Sequence, residues 1–287
     1  MAKVTVQDFI KKKSRGEKIV MVTAYDYPTA KIVDEAGVDG ILVGDSVAMV
    51  VLGLDSTTRI GMATILHHLR AVARARPRAL LVADMPFGSY EISAEEALRN
   101  AVKLIRAGAE AVKLEGGVEI FNIVEKLVKA GIPVMGHIGL NPQRALVLGG
   151  YKLMGKKVEQ ALKIIEDAKA LEEAGAFAIV IEHTVAEVAA EVTKRLKIPT
   201  ICIGSGPHCD GQILVLHDIV GLSEQVPYFA KVYADLRTAV RKAVEAFVND
   251  VRSGRFPEEG RYRSAGEKFA EELRALLRER YGDTRTR

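Results

Sequence analysis

Short apolar runs recur along the chain at Ile19–Ala24, Gly40–Val43, Ala79–Ala83, Ala111–Leu114, Pro133–Gly136, Phe177–Ile181, Pro199–Ile203 and Leu214–Leu216, and each is followed by a stretch of helical period. The clearest helix spans Ala94 to Ile105, with apolar positions three and four residues apart, Ser93 placed to cap its start and Gly108 to close its end. Regular alternation of strand and helix predicts a parallel sheet. The runs are rich in β-branched residues and lack strict alternation, as strands buried on both faces require. About eight such units, with no Gly-x-Gly-x-x-Gly opening a first helix, favour a closed (β/α)8 TIM barrel over an open doubly wound sheet. Thr5–Lys13 reads as a short helix packed across the barrel's bottom, and Tyr228–Val251 and Ser264–Arg280 read as amphipathic helices beyond it. The expected organisation is one TIM-barrel domain over 1–287, with a barrel core at about 19–252, a C-terminal helical extension at about 258–287, and polar residues throughout 282–287.

Composition narrows the class. A chain of 287 residues, 48% hydrophobic, suits one large core. Its net charge of +4 comes from 41 basic and 37 acidic residues interspersed along the sequence, which predicts no nucleic-acid and no membrane partner. Met1 to Lys18 holds no apolar stretch of signal-peptide type, and no run of about 18 apolar residues occurs, so the chain is expected to be neither exported nor membrane-spanning. Cys202 and Cys209 lack zinc-ligand spacing and are too few for a disulfide framework; they read as ordinary thiols in a reducing cytoplasm.

The chemistry lies where the strands stop. Val43-Gly44-Asp45-Ser46 ends the second, Val82-Ala83-Asp84 the third and Lys113-Leu114-Glu115 the fourth, while His137 follows the fifth and Glu182 the sixth. In a parallel barrel these ends share one face, where such enzymes build their active sites. Clustered carboxylates repel one another unless a cation or a proton intervenes, and an all-oxygen set suits a hard divalent ion such as magnesium. Each acid could instead cap the helix after its strand. Lys113 precedes Glu115 by two, so both point to the same side, and a lysine there would neutralise an anionic substrate or enolate, or form a structural ion pair with Glu115 or Asp84. Ser46 reads as a donor to a substrate carboxylate or an N-cap, and His137 as a substrate-facing acid-base or hydrogen-bonding group or a buried imidazole. Gly204-Ser205-Gly206 reads as an anion cradle or a tight turn.

Seven stretches carry a family resemblance: Thr23-Ala24-Tyr25-Asp26-Tyr27, Leu42-Val43-Gly44-Asp45-Ser46, Ala83-Asp84-Met85-Pro86-Phe87, Val112-Lys113-Leu114-Glu115-Gly116-Gly117, Gly136-His137-Ile138-Gly139-Leu140, Gly149-Gly150-Tyr151-Lys152 and Asp210-Gly211-Gln212-Ile213-Leu214. In these, from about Val4 to Pro257, the sequence resembles the ketopantoate hydroxymethyltransferases. The resemblance implies magnesium on Asp45, Asp84 and Glu115, a ketoacid held by Asp45, Ser46, Asp84 and Lys113, and Glu182 as proton acceptor. It further implies 5,10-methylenetetrahydrofolate or a related pterin as co-substrate, a place in pantothenate and coenzyme A biosynthesis, and a homodecamer. Leu54 departs from the histidine usual in the family. Two other readings are a magnesium-enolate barrel of the phosphoenolpyruvate mutase and isocitrate lyase type, and a non-catalytic barrel that binds a ketoacid.

Overall fold

In the computed structural model, which describes residues 2–282, the strands are β1 Ile19–Thr23, β2 Gly40–Val43, β3 Leu80–Asp84, β4 Ala111–Glu115, β5 Val134–Gly139, β6 Ala178–Glu182, β7 Thr200–Ile203 and β8 Gly211–Leu214. They form a closed barrel in chain order, every neighbour parallel and β1 pairing with β8. The predicted helix appears at Ala94–Arg106, where the Ser93 hydroxyl accepts from the Glu96 amide at 3.1 Å. Seven strands coincide with the apolar runs to within a few residues. The eighth lies earlier than expected, because its first half, Gly211-Gln212, is not apolar and Gln212 faces outward. Val215 and Leu216 already turn into the short helix Leu216–Ile219.

Two apolar layers hold the barrel. Outward residues such as Ile41, Leu81, Val112, Leu114 and Ile179 pack under the surrounding helices. Inward residues fill the lower barrel, among them Ile19, Met21, Val82, Met135 and Ile201. The N-terminal helix Val6–Ser14 closes the bottom by inserting Phe9, which meets Phe177 edge-on with ring centroids 5.9 Å apart. Gly40 makes room for this plug, since a Cβ there would lie 2.9 Å from Met21 and 3.1 Å from the Phe9 ring.

Two expectations need correction. Cys202 and Cys209 are joined as a disulfide rather than left as free thiols. A tight loop returns the chain from β7 to β8 and sets their α-carbons 5.7 Å apart, within disulfide reach. Counting cysteines cannot reveal such proximity, and the pair no longer argues for a reducing compartment. Secondly, the helix expected from Tyr228 begins later; the chain divides into two compact units between Ala234 and Asp235. Residues 228–235 are not helical, and the helix starts only at Leu236, where Asp235 caps Thr238. The second unit carries Leu236–Arg252 and Glu267–Tyr281, neither with a buried residue. Within the Gly204-Ser205-Gly206 turn, the Ser205 hydroxyl donates to the Ile181 carbonyl at 2.9 Å and accepts from the Thr184 amide at 3.0 Å. Of the expected polar tail, residues 283–287 lie outside the described residues. Among the described residues no helix is long and apolar enough to cross a membrane.

Candidate active site

At the carboxyl ends of the strands the inward side chains change from apolar to charged. Asp45, Ser46, Asp84, Lys113, Glu115, His137 and Glu182 all line a single cavity of about 360 Å³. Register explains their pairing: Asp84 is the Cα partner of Lys113 across β3 and β4, and Glu115 that of His137 across β4 and β5. Side chains sharing a register position on one face of a sheet are in reach of each other. Accordingly the Lys113 ammonium lies 2.7 Å from Asp84 Oδ1, and His137 Nδ1 lies 3.3 Å from Glu115 Oε1. Asp84 Oδ2 accepts from the Asp45 amide at 2.9 Å, which ties the ends of β2 and β3 together.

His137 links the cluster to Glu182. Its Nε2 stands 3.1 Å from Glu182 Oε2, and its Nδ1 is also 3.2 Å from Lys113 Nζ. A neutral imidazole accepting from Lys113 at Nδ1 carries its proton on Nε2, and an imidazolium carries one there as well. In either state Nε2–H faces Glu182. Gly139 lets β5 run close enough to β6 for this contact: it has a φ of +87°, and a Cβ would lie 2.4 Å from the Glu182 carbonyl oxygen. His183, the next residue, sits in the left-handed region with φ 44° and packs against the rings of Tyr228 and Phe229, which close one side of the cavity.

The electrostatics are those of crowded like charges. Burial, then Asp84 and Glu115, push the Asp45 carboxyl up to about 8, against the pull of Lys113 and the Gln143 amide. Glu115 is lowered: burial opposes ionisation, but His137, Lys113 and the Gln143 backbone amide outweigh it. Burial also opposes the Lys113 ammonium, yet Asp84, Glu115 and Asp45 raise it above its ordinary value. For His137, burial and Lys113 depress protonation, while Glu115 and Glu182 overcome both and lift it to about 9.

The donor set fits a divalent cation. Asp84 Oδ1 and Glu115 Oε1 are buried without an aligned hydrogen bond among the described residues, despite the ionic neighbours given above. Buried polar atoms facing one cavity with bonding capacity left over mark a binding site more than a finished ion-pair network. Asp45 holds a proton where a cation would otherwise offset its neighbours. Among the described residues no three acidic, histidine or cysteine side chains are placed to hold a metal ion by themselves. Magnesium does not demand one, since it keeps several waters and binds through one or two carboxylates plus substrate.

Ser46 is the outlying member of the set: its hydroxyl shares a 2.8 Å hydrogen bond with Tyr25 Oη at the cavity wall. Leu54 does not line the cavity. Sequence reasoning missed Gln143 and Tyr90, both buried behind the carboxylates, because neither ends a strand nor falls in a helical period.

The family model described as ketopantoate hydroxymethyltransferase matches residues 3–259. A 3-methyl-2-oxobutanoate hydroxymethyltransferase of Pyrobaculum calidifontis is 63% identical, over 91% of this chain and 98% of its own. Its counterpart from Hyperthermus butylicus is 58% identical over 98% of this chain and 97% of its own, and so extends through the C-terminal unit. Among solved structures, a phosphonopyruvate hydrolase superposes with a TM-score of 0.61 over 98% of this chain and all of its own, at 18% identity. A 2,3-dimethylmalate lyase of the phosphoenolpyruvate mutase and isocitrate lyase superfamily gives 0.57 over 98% of each chain, at 16% identity. These two likenesses speak for the barrel fold alone.

Proposed function

Because the chain belongs to the ketopantoate hydroxymethyltransferase family, we propose that its strand-end cluster transfers a one-carbon unit from a methylene-pterin, such as 5,10-methylenetetrahydrofolate, to C3 of 3-methyl-2-oxobutanoate, yielding ketopantoate. The observation that carries this reading is the meeting of Asp45, Asp84, Lys113, Glu115 and Glu182 in one cavity of a chain 63% identical to an enzyme of that name. Asp45, Asp84 and Glu115 would hold magnesium. When bound, the ion supplies a Lewis acid that draws charge from the ketoacid carbonyl, worth several kcal/mol on general grounds.

The chain's own groups do the rest. Glu182 accepts the proton from C3, and the bonding pair moves into a C2–C3 double bond as charge passes to the keto oxygen. His137 Nε2, 3.1 Å from Glu182 Oε2, holds that carboxylate in place. The Lys113 ammonium, kept charged by its acidic neighbours, is a fixed positive group for the new oxyanion and costs no reorganisation when it forms. Ser46 donates to the substrate carboxylate. C3 then bonds to the donor's methylene carbon as the first of that carbon's two bonds to pterin nitrogen breaks, and water displaces the second nitrogen and supplies the hydroxyl; the two freed nitrogens take up the proton removed from C3 and the proton released by that water. The apolar wall of Ile203, Leu214 and Phe229 excludes other water from the carbanionic carbon.

The resemblance extends to a homodecamer, and the exposed stripe Val240, Val244, Phe247 and Val251 on helix Leu236–Arg252 offers apolar area for subunit contact. The direct test is product formation from ketoacid with and without magnesium, using methylenetetrahydrofolate and a second methylene-pterin. Magnesium-dependent ketopantoate formation is expected with at least one donor, and Asp84→Ala should weaken magnesium binding in calorimetry. No product with either donor would overturn the reading, and an unaltered magnesium titration in Asp84→Ala would remove that ligand.

A further inference from the structure

Behind the carboxylates lies a buried amide that no strand-end motif announces. Gln143 sits on the single 3-10 turn Pro142–Arg144 that follows β5. Two contacts fasten this turn from outside: Asn141 Nδ2 donates to the His137 carbonyl at 3.0 Å, and Arg144 pairs with Glu119. Between them Gln143 is only 4% exposed and reaches into the barrel mouth.

Its side-chain polar atoms and its backbone amide are all engaged there. Nε2 donates to Asp45 Oδ2 at 2.9 Å and to the Met85 carbonyl at 3.1 Å, Oε1 accepts from Tyr90 Oη at 2.8 Å, and the backbone amide donates to Glu115 Oε2 at 3.0 Å. The amide has one tenable orientation. Reversing it would turn Oε1 towards the Met85 carbonyl, which can only accept, and NH₂ towards a hydroxyl already offered a hydrogen by the Glu115 amide at 3.3 Å. Tyr90 is itself 1% exposed, and its hydroxyl also lies 3.0 Å from the Glu115 carbonyl. One residue therefore grips one oxygen of Asp45 with its side chain and one oxygen of Glu115 with its backbone. Glu115 Oε1, the oxygen left over, is one of the buried atoms without an aligned hydrogen bond.

We propose that Gln143 is a positioning residue for the metal site: oriented by Tyr90, its amide fixes the Asp45 carboxylate so that the remaining oxygens of Asp45 and Glu115 face the cation. The inference rests on the assignment of Asp45 and Glu115 as magnesium ligands. Outer groups that aim a metal's ligands commonly change affinity about 10–100-fold when removed, and Gln143 touches one ligand directly through its side chain. Tyr90 touches the Glu115 backbone but no carboxylate oxygen, and it reaches Asp45 only through Gln143, so it should matter less.

Calorimetric magnesium titration of wild type, Gln143→Met, Tyr90→Phe and the double variant tests this. Methionine keeps the length of the side chain and makes none of its hydrogen bonds. Gln143→Met is expected to weaken magnesium binding about 10–100-fold, with kcat recovered at saturating magnesium and the metal-free thermal midpoint held within a few degrees. Tyr90→Phe should weaken binding less, and the double variant should bind no worse than Gln143→Met. Wild-type magnesium affinity in Gln143→Met would overturn the inference alone, since the wild-type titration would still report the metal. So would a kcat that excess magnesium does not restore, or additive losses in the double variant. Absence of magnesium binding by the wild type would overturn both this inference and the metal assignment beneath it.

Discussion

The two ends of the barrel are built from the same strands and obey opposite rules. Along β3 the inward face reads Leu80, Val82, Asp84; along β4 it reads Ala111, Lys113, Glu115; along β5 and β6 it passes from Met135 to His137 and from Val180 to Glu182. At the bottom, apolar layers meet the Phe9 plug, and the same helix adds the ion pairs Lys12–Asp39 and Lys13–Asp210. One pleat higher, charges of both signs are buried within hydrogen-bonding distance, and Asp45 must hold a proton that water would take from it. The bottom carries the stability and the top carries the chemistry, because buried like charges are tolerated only where other packing over-determines the fold.

Perturbing the two ends should therefore separate rate from stability. The largest effect is expected at the mouth: Lys113→Met removes the cation nearest Asp84 and should lower kcat for hydroxymethyl transfer about 10²–10³-fold, as loss of one oxyanion-stabilising donor does. Steady-state rates within tenfold of wild type would dismiss Lys113 from the mechanism. At the bottom, Phe9→Ala should lower unfolding free energy by about 3–5 kcal/mol, read by urea denaturation, with kcat of the folded enzyme unchanged. A comparable fall in kcat would show that the plug and the mouth are coupled after all.

A smaller effect follows from titration of the mouth. Asp45 is raised from 3.8 to about 8 and His137 from 6.5 to about 9, so the folded state keeps protons that the unfolded chain has already released. Their stabilising contribution is complete below the unfolded values and is lost as pH rises through about 8 and about 9. Metal-free protein should thus grow less stable between pH 6.5 and 9, and magnesium affinity should rise over the lower part of that window as Asp45 gives up its proton. Thermal midpoints across this range, with and without magnesium, check the sign; a metal-free midpoint that rises with pH would contradict it.

Much of this contrast could be read from the chain, because strand ends are local signals. Asp45, Asp84, Glu115 and Glu182 each sit at the close of an apolar run, and closure of the barrel brings them together. Which acid meets which base was not legible: the pairing of Asp84 with Lys113 and of Glu115 with His137 is set by strand register, and a shift of one residue would turn those side chains outward. Gln143 was invisible for a related reason, lying in a loop without period and reaching Asp45 across 98 residues of sequence. Cys202 and Cys209 became partners only through the turn joining β7 to β8, and β8 itself was displaced because Gly211 and Gln212 carry no apolar signature.

The central claim is that Glu182 removes the C3 proton within this charged mouth. Deuterium exchange at C3 of 3-methyl-2-oxobutanoate, followed by proton NMR with magnesium present and no pterin, isolates that step from transfer. The account predicts exchange by the wild type and at least about 10²-fold slower exchange by Glu182→Gln, with magnesium binding preserved. Exchange at the wild-type rate in Glu182→Gln would contradict it.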